Sequence, residues 1–178
     1  MYVALLRGIN VSGSKIIKME DLRACMAKSG FRNISTYIQS GNILFESENM
    51  TDVELETRIG SAILNDFGFQ VPVEIISKAK LKQILQENPF LKDINTSIDS
   101  LHLTILSAAP SPDLFNKLMP LEDDMDSCIF IDECIYLKCP NGYGRTKFTN
   151  TFFEKKLKLN ATTRNWKTMA KLGELIAS

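Results

Sequence analysis

The sequence has one histidine and one tryptophan, and no two of its four cysteines form a Cys-x-x-Cys pair. Such pairs are typical of zinc knuckles and redox sites, so neither is predicted. No segment approaches the roughly 18 apolar residues of a membrane helix. Arg7 also interrupts the N-terminal stretch where a secretory signal needs an apolar run. These absences predict a cytoplasmic protein with no membrane partner, no metal and no cofactor.

Nucleotide and catalytic signatures are also missing. Neither Gly-x-Gly-x-x-Gly nor Gly-Lys-Ser/Thr occurs, which excludes the Rossmann fingerprint and the Walker loop. The single histidine, His102, lies between Leu101 and Leu103 on a predicted strand, so we expect it at a surface or an interface. No carboxylate lies at a spacing that suggests a catalytic pair with it. The acidic run 122–126 lacks the calcium-loop pattern and is predicted to be a solvated loop.

The charge is balanced overall but unevenly distributed. Of 178 residues, 21 are basic and 21 acidic, so net charge favours no class of partner. Residues 145–178 carry eight basic and two acidic side chains, and residues 1–45 carry six and two. Residues 86–133 carry ten acidic and two basic side chains. The hypothesis is that the two basic ends meet and form a positive surface; scattered solvated charge is the alternative.

Hydrophobic periodicity predicts an α+β fold. Strands are predicted at 2–6, 34–38, 43–45 and 71–76, and helices at 18–29 and 51–67. This β-α-β-β-α-β order is the ferredoxin-like unit. The second half nearly repeats it, with strands at 101–106, 128–132 and 135–138 and helices at 78–86, 112–119, 148–158 and 164–176. In the order of elements, the last predicted helix occupies the position at which a fourth strand would complete the repeat. We therefore predict two ferredoxin-like subdomains, 1–77 and 78–178.

Two polar segments of the first half are candidate parts of a site. Small residues at 6–15 follow a strand and precede a helix, where backbone N–H groups can face a phosphate that basic side chains neutralise. The turn at 37–42 adds amide and hydroxyl groups that turn geometry does not require. An ordinary surface loop and an ordinary hairpin are the alternatives. The candidate ligand-binding residues are Arg7, Asn10, Lys15, Gln39, Ser40 and Asn42.

Two further segments lie in the second half. In 141–150, two glycines and two basic residues precede a predicted helix, and positive charge at a helix start suggests an anion. In 161–168, Thr162 or Thr163 is a predicted N-cap, again followed by basic residues. The lone tryptophan there is either a core residue or a face on which a ring stacks. The candidate ligand-binding residues are Arg145, Lys147, Arg164, Asn165 and Trp166.

These segments resemble the domain-of-unknown-function family 1697. The resemblance in the N-terminal half rests on Leu-Leu-Arg-Gly-Ile-Asn-Val at 5–11, Lys-Met-Glu-Asp-Leu at 18–22 and Tyr-Ile-Gln-Ser-Gly-Asn-Ile at 37–43. In the tail it rests on Phe-Phe-Glu-Lys-Lys-Leu at 152–157 and Ala-Thr-Thr-Arg-Asn-Trp-Lys-Thr at 161–168. It implies an α+β fold of two related subdomains and no known activity. Ser12 stands where the family usually has glycine.

Three functions are compatible with these features. The first is binding, with or without catalysis, of a small phosphorylated ligand such as a nucleotide at a basic surface formed by both termini, with Trp166 stacking on a base. The second is nucleic-acid binding by the sheet, where Tyr37 and Phe45 lie on predicted strands. The third is a structural or interaction role in which the polar motifs hold the two halves together. The sequence assigns no catalytic residue and no oligomeric state.

Overall fold

The computed structural model describes residues 1–48, 50–119, 121 and 125–177. The chain folds into two compact units. The first comprises Met1–Lys82 and the C-terminal residues from Leu172, and the second comprises Gln83–Lys171. The predicted boundary between residues 77 and 78 stays a prediction.

The first unit contains a four-stranded antiparallel sheet. Its strands are β1 (Tyr2–Leu6), β2 (Arg32–Tyr37), β3 (Asn42–Glu46) and β4 (Val73–Ser77), in the spatial order β2-β3-β1-β4. The helices α1 (Met19–Lys28) and α2 (Asp52–Phe67) connect them, so the predicted β-α-β-β-α-β order is confirmed. A further helix, α3 (Lys78–Glu87), follows β4.

Helix α2 shows why this unit follows its sequence pattern. Thr51 and Glu54 form a reciprocal capping box at its start, and Gly68 ends it in the left-handed conformation. Leu55, Ile59 and Ile63 recur at helical spacing and are fully buried. They belong to the core that α1 and α2 form against one face of the sheet.

The second unit repeats the architecture. Its strands are β5 (Leu101–Leu106), β6 (Ser127–Ile131), β7 (Cys134–Lys138) and β8 (Ala161–Asn165), in the spatial order β6-β7-β5-β8. Its connecting helices are α4 (Pro112–Leu118) and α5 (Asn150–Leu157), and α6 (Trp166–Ala177) follows β8. The buried cluster beneath the sheet is built largely from aromatic and aliphatic residues of β7, α5 and the segment before α5.

The prediction of an N-cap and a helix start at residues 162–164 was wrong, because these residues belong to strand β8. Residues 161–165 pair with β5 over five positions and supply the fourth strand of the repeat, which the sequence pattern did not predict. Neither Thr162 nor Thr163 caps the last helix: that helix begins at Trp166, and Asn165 Oδ1 accepts a hydrogen bond from Thr168 N at 2.8 Å. Consecutive threonines suit both an N-cap and a strand, and only pairing with the distant β5 distinguishes them.

Two other expectations were wrong. Helix α5 begins at Asn150, not at 148, because Thr149 accepts a hydrogen bond from Phe152 N at 3.2 Å and caps it. His102 is buried, with 9% of its surface exposed, so a surface position is wrong, and the alternative of an interface position stays a prediction. It does face away from Leu101 and Leu103, but every residue of β5 is buried, so both faces of this central strand are covered.

No helix in the described ranges is long and apolar enough to span a membrane.

Candidate functional site

The second unit holds a polar cluster centred on Thr163. Its Oγ1 atom lies 2.7 Å from Thr104 Oγ1, 3.2 Å from Tyr143 Oη and 2.6 Å from Asn150 Oδ1. An amide oxygen can only accept, so the single Thr163 proton goes to Asn150. The hydroxyls of Thr104 and Tyr143 must then both donate to Thr163. Strand β5, the segment before α5, the start of α5 and strand β8 are thus joined at one atom.

His102 lies beside this polar cluster. Its ring stacks on the Tyr143 ring, with centroids 4.9 Å apart and planes inclined by 26°. Its Nδ1 is buried and has no hydrogen-bond partner in the described part of the chain. Burial lowers the pKa of His102 below its ordinary value. We therefore expect a neutral imidazole at physiological pH.

The basic loop, residues 141–147, leads from β7 towards α5. Gly142 N donates to Cys139 O at 2.9 Å, and Arg145 N donates to Gly142 O at 3.1 Å. Gly142 has φ of 87°, a conformation that glycine adopts without strain. These bonds and the Tyr143 hydroxyl hold the loop against the sheet.

A cleft of about 390 Å³ opens beside the basic loop. It is lined by Met125, Asp126, Asn141, Arg145 and Lys147. The two predicted cations of this segment are therefore brought together. Both side chains are exposed, and the Lys147 ammonium lies 5.4 Å from the centroid of the Phe148 ring. A second cleft, of about 550 Å³, also borders this loop, at Asn141 and Gly142.

The other predicted residues of the second unit have different environments. Trp166 has 3% of its surface exposed and lies 6.2 Å from the Tyr136 ring, so its faces are occupied by the core. Arg164 lies on β8, not at a helix start, and donates to Thr163 O at 2.9 Å. It is half-buried, and desolvation lowers its pKa to about 10. Asn165 is exposed but uses its side-chain oxygen as the α6 cap.

In the first unit, Asn10 joins two predicted segments. Its amide nitrogen donates to Ile17 O at 3.0 Å and to Gln39 O at 2.9 Å, while its amide oxygen accepts from Ile17 N at 2.8 Å. The loop after β1 is thereby tied to the turn after β2. Lys15 extends from this loop and donates to Gln70 O at 2.7 Å. Arg7, at the end of β1, is half-buried, and its backbone N–H donates to Pro72 O.

The turn between β2 and β3 is closely packed. Asn42, a predicted ligand-binding residue, is fully buried. Its amide nitrogen donates to Tyr37 O at 2.9 Å and to Ser40 Oγ at 3.0 Å, so it forms hydrogen bonds within the turn. A Cβ atom at Gly41 would lie 2.7 Å from Leu6 Cβ, which excludes any larger residue without movement. Gln39 remains exposed.

Several residues near these two segments have strained backbones. Ile38 has φ of 50°, which a β-branched residue rarely adopts, and its side chain is 48% exposed. Asn10, Ser12 and Lys15 also have positive φ. Such strain at an exposed position is a reason to suspect a functional constraint, although tight turns also produce it.

The sequence motifs included some residues of the polar cluster without assigning them to a site. Tyr143 and Asn150 lie in the predicted segment 141–150, and Thr163 lies in 161–168. Thr104 and His102 lie in neither segment. Their proximity depends on the β5–β8 pairing, which no local pattern shows. In the described ranges, no group of three or more histidine, cysteine or acidic residues is placed to hold a metal ion.

A family model described as "Protein of unknown function (DUF1697)" matches residues 1–136. The chain belongs to this family. The match confirms the resemblance seen in the N-terminal motifs and ends before the basic loop. The resemblance of the tail to the family's C-terminal signature stays a prediction. No curated protein matches the chain.

A solved structure, "The structure of conserved bacterial protein SP0830 from Streptococcus pneumoniae", is similar to this member of the DUF1697 family. The TM-score is 0.77 at 21% sequence identity, covering 98% of this chain and 97% of that one. At this identity the likeness shows the fold alone. It agrees with the predicted α+β fold of two ferredoxin-like arrangements, which is confirmed.

Proposed function

We propose that this protein binds a small anionic or phosphorylated ligand, such as a nucleotide, in the cleft beside the basic loop. The observation that carries the proposal is that Arg145 and Lys147 line one cleft together with Asn141. Guanidinium and ammonium groups donate charge-assisted hydrogen bonds that phosphate oxygens accept. Among the lining residues in the described ranges, two cations stand against one carboxylate, that of Asp126, so this part of the lining is net positive.

The size and rigidity of the cleft support a small ligand. Its volume of about 390 Å³ falls at the lower end of the range of small-molecule pockets, roughly 300–1,000 Å³. The hydrogen bonds of Gly142 and Tyr143 fix the backbone that leads into the two cationic residues. A loop ordered before binding loses less conformational entropy when the ligand arrives.

Structural roles account for other predicted site residues. Asn10 and Asn42 satisfy backbone groups of the loops that contain them, and Trp166 packs in the core. Each of these contacts lies within one unit, so these residues have local structural roles. The basic loop differs, because Arg145 is exposed and has no ion pair in the described part of the chain. A single surface formed by both termini, with Arg7, Lys15 and Arg164 on it, stays a prediction.

Burial disfavours nucleic acid on the sheet of the first unit. A ferredoxin-like RNA-binding domain presents aromatic residues on an open sheet face. Phe45 is fully buried beneath the helices of the first unit, and Val3, Leu5 and Leu44 on the opposite face of that sheet are buried as well. Neither face of the central strands is available for bases to stack.

Calorimetric titration with inorganic phosphate, adenosine monophosphate and uncharged adenosine tests the proposal. We expect saturable binding of at least one phosphate-bearing compound and none of adenosine. Arg145→Gln/Lys147→Gln should weaken that binding about tenfold or more, since each charged hydrogen bond contributes roughly 1.5–3 kcal/mol. Lys155→Gln/Lys156→Gln removes the same charge from exposed positions of α5 and is the matched control. Equal losses in both variants would contradict a site at the cleft.

A further inference from the structure

The second cleft beside the basic loop is lined mainly by polar residues. Its lining comes from the pre-β5 segment, residues 93–100, and from residues 138–142, where β7 leads into the basic loop. Asn141 lines this cleft and also the first cleft, together with Arg145 and Lys147. The two clefts are therefore adjacent, and a ligand that extends past Asn141 reaches both.

The backbone around the second cleft is held by hydrogen bonds within the protein. Cys139 N donates to Ser100 O at 2.8 Å, which links the pre-β5 segment to the residues that lead into the basic loop. Within the segment, Ser100 N and Ser100 Oγ donate to Ser97 O, at 3.0 Å and 2.7 Å. Asn95 N donates to Asp93 Oδ1 at 3.0 Å. Because these groups are ordered before binding, a ligand loses less conformational entropy when it arrives.

The charges of the second cleft are balanced. Lys138 and Asp99 line it, and each has a partner of opposite charge. Lys138 Nζ lies 4.0 Å from Asp93 Oδ2, and Asp99 Oδ1 lies 2.5 Å from Lys167 Nζ. A phosphate in this cleft would meet the Asp99 carboxylate, whereas the described lining of the first cleft is net positive. The second cleft therefore suits an uncharged part of a ligand whose anionic part lies in the first.

Three polar side chains of the second cleft are available to a ligand. The amides of Asn95 and Asn141 and the hydroxyl of Ser97 are exposed, and they form no hydrogen bond within the described part of the chain. An amide and a hydroxyl can each donate and accept a hydrogen bond. The hydroxyls of a sugar also donate and accept, so they match these side chains in chemistry.

A nucleobase would lack a stacking partner in either cleft. Proteins hold bases largely by stacking them on aromatic side chains, and no aromatic residue of the described ranges lines either cleft. Phe148, beside Lys147, is fully buried, and Trp166 packs near Tyr136. If the ligand carries a base, we expect that base to add little to the affinity.

We propose that the ligand is a sugar phosphate, either free or as the sugar phosphate part of a nucleotide. Its phosphoryl group accepts hydrogen bonds from Arg145 and Lys147 in the first cleft. Its hydroxyls form hydrogen bonds with Asn95, Ser97 and Asn141 in the second cleft. This assignment rests on the proposed function, because it needs an anion bound beside the basic loop, and it adds the chemical class of the uncharged part.

Calorimetric titration with two phosphate esters tests the assignment. Tetrahydrofurfuryl phosphate has the furanose ring and the phosphate of ribose 5-phosphate but lacks the hydroxyls on the ring. We expect ribose 5-phosphate to bind at least about tenfold more tightly, since the neutral hydrogen bonds of those hydroxyls distinguish the two compounds. Adenosine monophosphate should gain less than about tenfold over ribose 5-phosphate, because its base finds no ring to stack on.

Asn95→Ala/Ser97→Ala separates the sugar contacts from the phosphate contacts. This variant should lose most of the preference for ribose 5-phosphate and keep the wild-type affinity for tetrahydrofurfuryl phosphate. Ser61→Ala/Asn65→Ala removes the same groups from exposed positions of α2 and is the matched control, which should bind both esters as the wild type does.

The outcomes distinguish the sugar from the anion. Equal affinity for the two esters, or a preference that persists in Asn95→Ala/Ser97→Ala, would overturn the sugar assignment and leave the anion site in place. A gain of more than about tenfold for adenosine monophosphate over ribose 5-phosphate would also overturn it, since the base would then be recognised. Binding of neither ester would contradict the anion site itself and the sugar assignment with it.

Discussion

The Oγ1 atoms of Thr104 and Thr163 lie 2.7 Å apart across the β5–β8 ladder, and Thr163 Oγ1 is also bonded to Tyr143 and Asn150. Thr104 is fully buried and occupies the central strand, whereas β8 is an edge strand. One hydroxyl therefore fastens the edge strand, the basic loop and the start of α5 to the centre of the sheet.

Replacing Thr163 with valine should lower the free energy of unfolding by roughly 2–3 kcal/mol, because two hydroxyls and an amide oxygen lose their common partner. Denaturant titration measures this directly. Thr151→Val makes the same chemical change at an exposed position of α5 and should stay within about 0.5 kcal/mol of the wild type. If both variants lose the same stability, the three hydrogen bonds shared by Thr163 Oγ1 do not stabilise the fold.

Gly41→Ala tests whether the turn between β2 and β3 is a packing constraint. The added Cβ would lie 2.7 Å from Leu6 Cβ and 2.9 Å from Ile9 Cδ1, at φ of 78°. We expect a loss of roughly 2–4 kcal/mol from steric overlap and backbone strain together. Gly13 has nearly the same φ, 76°, with nothing within 4 Å, so Gly13→Ala isolates the backbone part, roughly 1–2 kcal/mol. Thermal unfolding of both variants separates the two, and equal losses would contradict the overlap.

Substitution of Ile38 is expected to raise the free energy of unfolding, unlike the two substitutions above. Its φ of 50° is unfavourable for a β-branched residue, and half of its side chain is in water. Ile38→Asn should raise the free energy of unfolding by about 1 kcal/mol, because asparagine tolerates the left-handed region. Chemical denaturation provides the value. A loss of stability would mean that the buried half of the isoleucine outweighs the strain.

Burial makes His102 a source of pH dependence. Its pKa in the folded protein is lowered from 6.5, so below that pH the unfolded chain takes up a proton that the folded protein resists. Stability is therefore complete above about pH 6.5 and falls as the pH drops towards the folded pKa, by at most about 1.4 kcal/mol per pH unit. His102→Gln, in a chain with one histidine, should remove the part of the slope that His102 contributes. Parallel curves for the two proteins between about pH 7 and about pH 5 would refute the expected burial effect.

Local signals predicted most of the elements because each is encoded within a few residues. The Thr51–Glu54 capping box and Gly68 bound α2, and the apolar run 2–6 marks β1. Strand β8 was missed because its five residues have no apolar alternation, and threonines before a helix also suit an N-cap. The register of β8 is set by β5, about sixty residues away, and local patterns do not contain that pairing.

The candidate site was predictable in part for the same reason. Arg145 and Lys147 were identified because basic residues among glycines are unusual before a helix, and the structure places both on one cleft. The argument from helix polarity was less successful, since Arg164 lies on a strand and α5 begins three residues after Lys147. His102 was misplaced because alternation gives the face of a strand but not whether that face is covered.

The most direct test of the proposed function is to follow backbone amide signals of the isotope-labelled protein during titration with adenosine monophosphate. The account predicts saturable shifts centred on Gly144, Arg145 and Lys147, and their loss in Arg145→Gln/Lys147→Gln but not in Lys155→Gln/Lys156→Gln. Shifts centred on other residues, or no shift with this compound or with inorganic phosphate, would contradict an anion site at the basic loop.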